Sequence, residues 1–181
     1  MLRAALQVLA DEGLSGFTME AVARRAGASK ATVYRHWSSR GTLLIDAMDL
    51  GFHVLPLPAT GQLRTDLIEL FSGLEALLSN QPYPRLTAAF IDGAERDPIL
   101  RNLHAELMKR RQELARQVLA LGRRRGEIPP GTDLELAIDL LAGPLFFLRF
   151  IAHRPFPEGY VSSVVDLVLA AIGHTPPEHT R

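Results

Sequence analysis

Cysteine is absent from all 181 residues. This excludes a disulfide framework, a thiolate nucleophile and any Cys-ligated zinc or iron–sulfur centre. Net charge is absent too, since 20 Lys and Arg balance 20 Asp and Glu, so no chain-wide field favours nucleic acid or a membrane surface. Long apolar runs are missing. The longest, 140–148, contains Gly143 and Pro144 and is followed by Arg149, well short of the roughly 18 residues a membrane span needs. The first residues show no charged lead, apolar run and small-residue cleavage site in order, so a signal peptide is not expected and the cytoplasm is the expected compartment. There is no phosphate-cradling Gly loop, no Gly-x-Ser-x-Gly elbow and no His-Glu-x-x-His pair. The six His are scattered, with none three or four residues from another. An enzyme is therefore not expected, nor a metal, nor a cofactor.

What is present is an ordinary globular composition, 47% apolar and 22% charged, long enough for one domain or two small ones with a real core. The charge is unevenly spread. Residues 18–40 hold Arg24, Arg25, Lys30, Arg35 and Arg40 against Glu20 alone, a local excess of +4, which leaves 15 basic and 19 acidic groups in the other 158 residues. A small basic segment on a mildly acidic body is the footprint of a local phosphate-contacting site.

The periodicity is helical nearly throughout, with no run of period-2 alternation. Leu2, Ala5, Leu6 and Leu9 mark a first helix that Gly13 should stop. Thr18 is placed to cap a second helix through about Ala26, with Gly27 closing it, and Ser29 to cap a third from Lys30 to about His36. A fourth starts at Ser38 or Ser39 and is expected to reach roughly Phe52. After Pro56, Pro58 and Gly61, further helices are expected from about Leu63, over 86–94, in a long stretch after Pro98, from Asp133 to about His153, and over 158–172. The expectation is an all-α protein of about nine helices with a boundary near residue 55: an N-terminal domain over 1–53 and a helical domain over 54–181.

Residues 17–37 carry the functional signal. Two helices of about two turns each meet at a Gly-containing turn, which is helix-turn-helix geometry. Val22 and Ala23 of the first can pack on Val33 and Trp37 of the second, leaving Lys30, Thr32, Tyr34, Arg35 and His36 outside. Lys and Arg suit phosphate or guanine, Thr a phosphate or the thymine methyl, and Tyr and His the backbone. The helix starts at Thr18 and Ser29 add N–H donors for phosphates. Phe17 and Trp37 read as core.

The run Thr-Met-Glu-Ala-Val-Ala-Arg-Arg-Ala-Gly-Ala-Ser-Lys-Ala-Thr-Val-Tyr-Arg-His-Trp, followed by Ser-Ser-Arg-Gly-Thr-Leu-Leu, closely resembles the DNA-binding domain of TetR-family transcriptional regulators. The similarity covers roughly residues 1–50. Weaker cues extend it: Ala94-Glu95-Arg96-Asp97-Pro98, Arg125-Gly126-Glu127 before a Pro turn, and 141–147. The resemblance implies a three-helix helix-turn-helix domain followed by a helical ligand-binding and dimerisation domain. It implies a recognition helix from Lys30 to His36, with Lys30, Ala31, Thr32 and Tyr34 facing the major groove. Thr18, Tyr34, His36 and Arg40 resemble positions that grip the sugar-phosphate backbone, Arg40 standing where the family usually has Lys. With Ser29 and Arg35 these complete the expected DNA-binding set. Family members usually carry several residues, often basic, before the first helix, whereas this sequence starts at Met1 within it; Gly41 and the missing Pro before Ser39 also depart from the pattern.

In the C-terminal part, apolar residues run all the way round the helix from Leu140, and the last helix has two apolar stripes. Burial on two sides points either to a subunit interface, here Leu140, Pro144, Leu148, Val164, Leu167, Val168 and Ala171, or to a central core helix. The resemblance implies the former, a homodimer built from the last two long helices. Phe71, Phe90, Met108, Phe146, Phe147 and Phe150 could line a cavity for a hydrophobic or aromatic effector, or be plain core. Arg110-Arg111 and Arg123-Arg124-Arg125 read as solvated helix face. The reading is a homodimeric regulator of double-stranded DNA at a palindromic operator, a repressor released by a small molecule. An activator of the same fold and a ligand-binding protein without DNA binding remain as alternatives.

Overall fold

A computed structural model of the chain describes residues 1–50, 58 and 60–175. Every regular element among the described residues is helical: α1 (Leu2–Gly16), α2 (Met19–Arg25), α3 (Lys30–His36), α4 (Arg40–Asp49), α5 (Leu63–Ser79), α6 (Tyr83–Arg96), α7 (Pro98–Arg124), α8 (Leu134–Phe146) and α9 (Tyr160–Ala171), with a π-helical turn at Phe147–Ile151. Among the described residues the fold is all-α with nine α-helices, as the periodicity implied. Gly13 leaves helical geometry (φ 67°, ψ −171°) and stops the first helical run as expected; a short turn to Gly16 follows across the kink, with Phe17 N–H bonding back to the Gly13 carbonyl. The α4 helix ends at Asp49 rather than near Phe52, which lies outside the described residues. The sixth helix starts at Tyr83, earlier than expected, because a Pro in the first turn gives up an N–H that has no helical partner anyway.

The chain forms two compact units that do not follow its linear order. One comprises Met1–Val54 and Asn80–Arg111, the other Leu55–Ser79 and Gln112–Arg181, so α7 contributes its first half to one unit and its second to the other.

In the first unit α1 packs against α2, α4 and α6, and α2 against α3. One apolar cluster holds Val8, Phe17, Val22, Val33, Leu43 and Met48 together with Leu86 and Phe90 of α6 and Leu107 of α7. Gly41, one of the departures, faces α7. A Cβ there would stand 3.1 Å from both Leu103 methyl carbons, so a side chain at this position would push Leu103 of α7 back by a few tenths of an ångström. The Arg110-Arg111 pair is not the shared solvated face it was expected to be. Arg110 is exposed and ion-paired, whereas Arg111 is half-buried, lies 5.2 Å over the Tyr83 ring and donates to the Met48 carbonyl at 2.9 Å. Burial lowers the Arg111 pKa and raises that of the Tyr83 hydroxyl to about 12.

In the second unit α5 packs on α9, and α8 on both. Leu63, Leu67, Leu78, Leu119, Ile138, Leu141, Leu145 and Val165 are buried there. Pro144 lies inside α8, where it cannot donate to the preceding turn. Regular α geometry ends two residues later, and the next turn closes through Ala152 N–H to the Phe147 carbonyl, five residues back. A buried polar network ties α5 to the end of α7. Glu127, 1% exposed, accepts the Leu63 N–H at 2.8 Å through Oε2 and pairs with Arg125 through Oε1. Arg125 also stands 3.8 Å from Asp66, whose other oxygen accepts from the Thr60 N–H at 2.8 Å and hydroxyl at 2.7 Å.

Candidate nucleic-acid interface

Two short helices and their turn are built from local capping. The Thr18 hydroxyl accepts the Ala21 N–H at 3.0 Å and starts α2, whose Met19, Ala21, Val22 and Ala23 are buried. The turn closes through Gly27 N–H to the Arg24 carbonyl and Ala28 N–H to the Ala23 carbonyl, at 3.3 and 3.0 Å. It needs φ +62° at Gly27, a left-handed conformation that costs glycine least. Ser29 then accepts the Thr32 N–H at 3.1 Å and starts α3. Ser39 opens α4 with a full capping box, its hydroxyl accepting from Thr42 N–H and the Thr42 hydroxyl accepting from Ser39 N–H.

The α3 helix is anchored by very little. Val33 is its one fully buried residue and sits in the same cluster as Val22 and Ala23. Trp37, at the C-cap, packs half-buried on that cluster, and Phe17 is fully buried, so both belong to the core as expected. The indole N–H donates to Asp46 Oδ2 at 2.8 Å. Lys30, Ala31, Tyr34, Arg35 and His36 are exposed, and Thr32 is half-buried beneath them. The outward face is thus a continuous set of donors, cations and a phenol half open to solvent.

Its charges are held differently. Lys30 Nζ lies 3.3 Å from the Glu20 carboxylate, both ends exposed. The Glu20 carboxyl is held below the usual range by its own backbone N–H first and by Lys30 second. Arg25 pairs with Asp11 at 2.7 Å. Arg40 is exposed and its guanidinium donates to the Leu14 carbonyl near the end of α1, which orients it beside the start of α4. Arg24, Tyr34 and Arg35 have no polar partner among the described residues and are free to meet a ligand. Pattern reading missed Asp46; an indole N–H in need of an acceptor was the available signal.

Of the apolar residues singled out further along, Phe90 (2% exposed) lies in the core of the first unit with its ring edge-on to His104 at 5.4 Å, and Met108 packs on that core. Phe71 is buried in the second unit, where Phe146 and Phe150 stand 5.7 Å apart. Phe147 differs from expectation. It is 55% exposed, and Leu136, Leu140, Ile151 and Leu167 are exposed too. Leu148, Val164 and Val168 are buried within the chain, Pro144 is half-buried, and Ala171 is exposed with Leu140 and Leu167. Two clefts of about 350 Å³ lie in the second unit, one over Glu75, Ser79, Arg149 and Arg154, the other over Pro129, Asp133, Leu136 and Leu140; neither is lined by those aromatics. Among the described residues no three His, Asp or Glu converge as metal ligands, and no helix is long and apolar enough to cross a membrane.

Comparison with known proteins agrees with this geometry. The family model for bacterial regulatory proteins, tetR family, matches residues 1–47, and the model for the tetracyclin repressor-like C-terminal domain matches residues 57–168. A DNA-binding transcriptional repressor TetR of Mycobacteroides abscessus is 34% identical over 180 residues, covering 95% of this chain and 91% of that protein. Among solved structures, the TetR family transcription regulator SCO0332 is similar with a TM-score of 0.79 at 29% identity, covering 94% of this chain and 95% of that one. The transcriptional regulator FadR of Bacillus subtilis, solved in complex with stearoyl-CoA, shares the fold (TM-score 0.60, 18% identity, 94% and 95% covered). A helix-turn-helix with an exposed cationic face, on a chain matched by both family models over most of its length, places this protein in the TetR family of DNA-binding transcriptional regulators.

Proposed function

We propose that the protein is a homodimeric repressor that leaves a palindromic operator when a small hydrophobic or aromatic effector binds. The observation that carries the DNA half is the outward face of α3. Lys30, Ala31, Tyr34, Arg35 and His36 are exposed while Val33 alone is buried beneath them. The α3 helix enters the major groove with Lys30, Ala31, Thr32 and Tyr34 towards the bases, and Thr18, Ser29, Arg35, His36 and Arg40 meet the phosphates. Residues 1–53 carry DNA binding and 54–181 carry effector binding and dimerisation.

Dimerisation is supported by the exposed apolar side chains. Leu136, Leu140, Phe147 and Ile151 recur at spacings of four, seven and four along α8 and its π turn, and Leu167 on α9 is 72% exposed. Such a row in water is costly unless a second copy covers it. A two-fold dimer presents two recognition helices about one DNA turn, roughly 34–36 Å, apart. Phe71, Phe146 and Phe150 of the second unit are the residues proposed to meet the effector. FadR, the structural neighbour solved with stearoyl-CoA, supports an apolar ligand class. The ligand shifts the operator equilibrium only through its differential affinity for the two conformations.

The test is selection of genomic fragments by purified protein at two salt concentrations. A recovered palindrome whose affinity falls steeply with salt is the expected result. Tyr34→Ala must then weaken that operator by at least about tenfold; an unchanged affinity removes α3 from the interface. An effector that leaves the protein bound and raises transcription from the adjacent promoter would favour an activator.

A further inference from the structure

The DNA-reading helix is seven residues long, too short to hold its own shape or direction in water. Its placement therefore comes from tertiary anchors. At the N-terminal end there are the local Ser29 cap and the exposed Lys30–Glu20 pair at 3.3 Å, and in the middle the one buried residue is Val33. At the C-terminal end, Trp37 is fixed by a single polar contact, its indole N–H donating to Asp46 Oδ2 at 2.8 Å. The other oxygen of the same carboxylate, Oδ1, accepts from the Arg110 guanidinium of α7 at 3.1 Å, and Arg110 is steadied in turn by Glu106 at 3.3 Å. One carboxylate thus joins the end of α3 to a helix more than 60 residues later in the chain.

We infer that Asp46 is a positioning residue for DNA recognition: through Trp37 it sets the direction of α3, and through Arg110 it ties that direction to α7. The physical reason is the different tolerance of the two kinds of DNA contact. A base-edge hydrogen bond needs a donor–acceptor distance within about 2.7–3.2 Å. A phosphate contact is largely Coulombic and survives a small displacement. Releasing the end of α3 should therefore weaken specific binding far more than non-specific binding. Asp46 itself need touch no DNA.

The inference rests on α3 being the DNA-reading helix, and the experiment separates the two. Affinity is measured for the operator recovered by genomic selection and for a scrambled duplex of equal length, with Tyr34→Ala as the control for α3. Asp46→Ala is expected to lose about tenfold on the operator and less than about threefold on the scrambled duplex. Asp46→Asn keeps an oxygen for the indole N–H and should stay within about threefold on both. Arg110→Gln should lose about two- to fivefold on the operator alone. Trp37→Phe keeps an aromatic ring but loses the N–H together with the five-membered ring, so it should lose at least as much as Asp46→Ala. The double variant should be no worse than Trp37→Phe alone, which also carries the test if Asp46→Ala folds poorly.

Trp37 is the sole tryptophan of the chain, so its emission reports this bond directly. Asp46→Ala should change the emission maximum and iodide quenching, and Asp46→Asn much less. Equal losses on operator and scrambled duplex, additive effects of Trp37→Phe and Asp46→Ala, or unchanged emission in Asp46→Ala would each overturn the inference. If Tyr34→Ala leaves the operator affinity intact, the reading of α3 fails and the inference falls with it. If only the Asp46 and Trp37 variants are silent, α3 stands and the positioning role alone is refuted.

Discussion

Replacing Glu127 by Ala should unfold the second unit first. The Glu127 carboxylate is 1% exposed and faces three groups, the Leu63 N–H, Arg125 and, at 3.6 Å, His174, of which the first two matter most here. Oε2 accepts the Leu63 N–H at 2.8 Å, so a residue 64 positions away serves the start of α5 in place of a local cap. Oε1 pairs with Arg125, which is 29% exposed and also faces the fully buried Asp66 at 3.8 Å. Removing the side chain leaves a buried N–H without an acceptor, about 1–3 kcal/mol. It also removes one partner of a buried ion pair, about 3–5 kcal/mol where both charges are dry. Water reaches Arg125, so the second figure must be discounted, and a combined loss of about 3 kcal/mol is expected. For a chain of this size that is roughly a 6–12 °C fall in melting temperature. Glu127→Gln keeps one oxygen for Leu63 but not the charge opposite Arg125, and should lose about 1–2 kcal/mol.

Far-UV circular dichroism in urea, at fixed protein concentration, follows the helices of both units, while Trp37 emission follows the first unit alone. In Glu127→Ala the dichroism transition should move to lower urea more than the emission transition does. A loss below about 1 kcal/mol, or two transitions that shift together, would refute the view that this carboxylate organises the second unit.

Three other outcomes follow from single contacts. Arg35→Ala should lower the slope of log affinity against log salt by about 1, since one phosphate contact is lost; a full slope would remove Arg35 from the phosphate contacts. Leu167→Glu, at a position 72% exposed, should leave the fold intact and give a monomer by sedimentation if the apolar face of α8 and α9 joins two copies. His104 titrates below 6.5 because of burial first and the Arg111 charge second. The folded state therefore binds fewer protons than the unfolded one, and stability is full above pH 6.5 and lost as pH falls from there through the folded pKa. His104→Asn should remove that slope from the pH dependence of the Trp37 unfolding midpoint.

The DNA-reading half was legible because its signals are local. Thr18, Ser29 and Ser39 cap helices within three residues of themselves, and Gly27 allows the left-handed turn between two of those helices at little cost. Such contacts need no knowledge of the rest of the chain. Phe147 sits seven residues after Leu140 and eleven after Leu136, so ordinary helical spacing puts it on the exposed row with them, while Leu148 beside it is buried. Glu127 was visible only as part of an Arg-Gly-Glu cue, since its partner Leu63 lies 64 residues earlier.

Arg110 and Arg111 show where the remaining information lay. Successive residues on a helix point about 100° apart, so two adjacent arginines do not share one environment. Here Arg110 turns out to Asp46, while Arg111 turns in under Tyr83 to the Met48 carbonyl, with the buried Asp49 carboxylate close enough to favour its charge. Asp46 and Asp49 are three apart on α4 and share a face. An acidic pair spaced by three on one helix thus complements two adjacent cations on another, a pattern written in the sequence but readable only once α4 and α7 are known to lie side by side. That pairing, with Leu86, Phe90 and Leu107 in the same core as Val33, makes the unit that carries the DNA-reading helix larger than its motif. Residues 46 and 110 reach the end of α3 from outside the motif, through Trp37, while the turn holds its start.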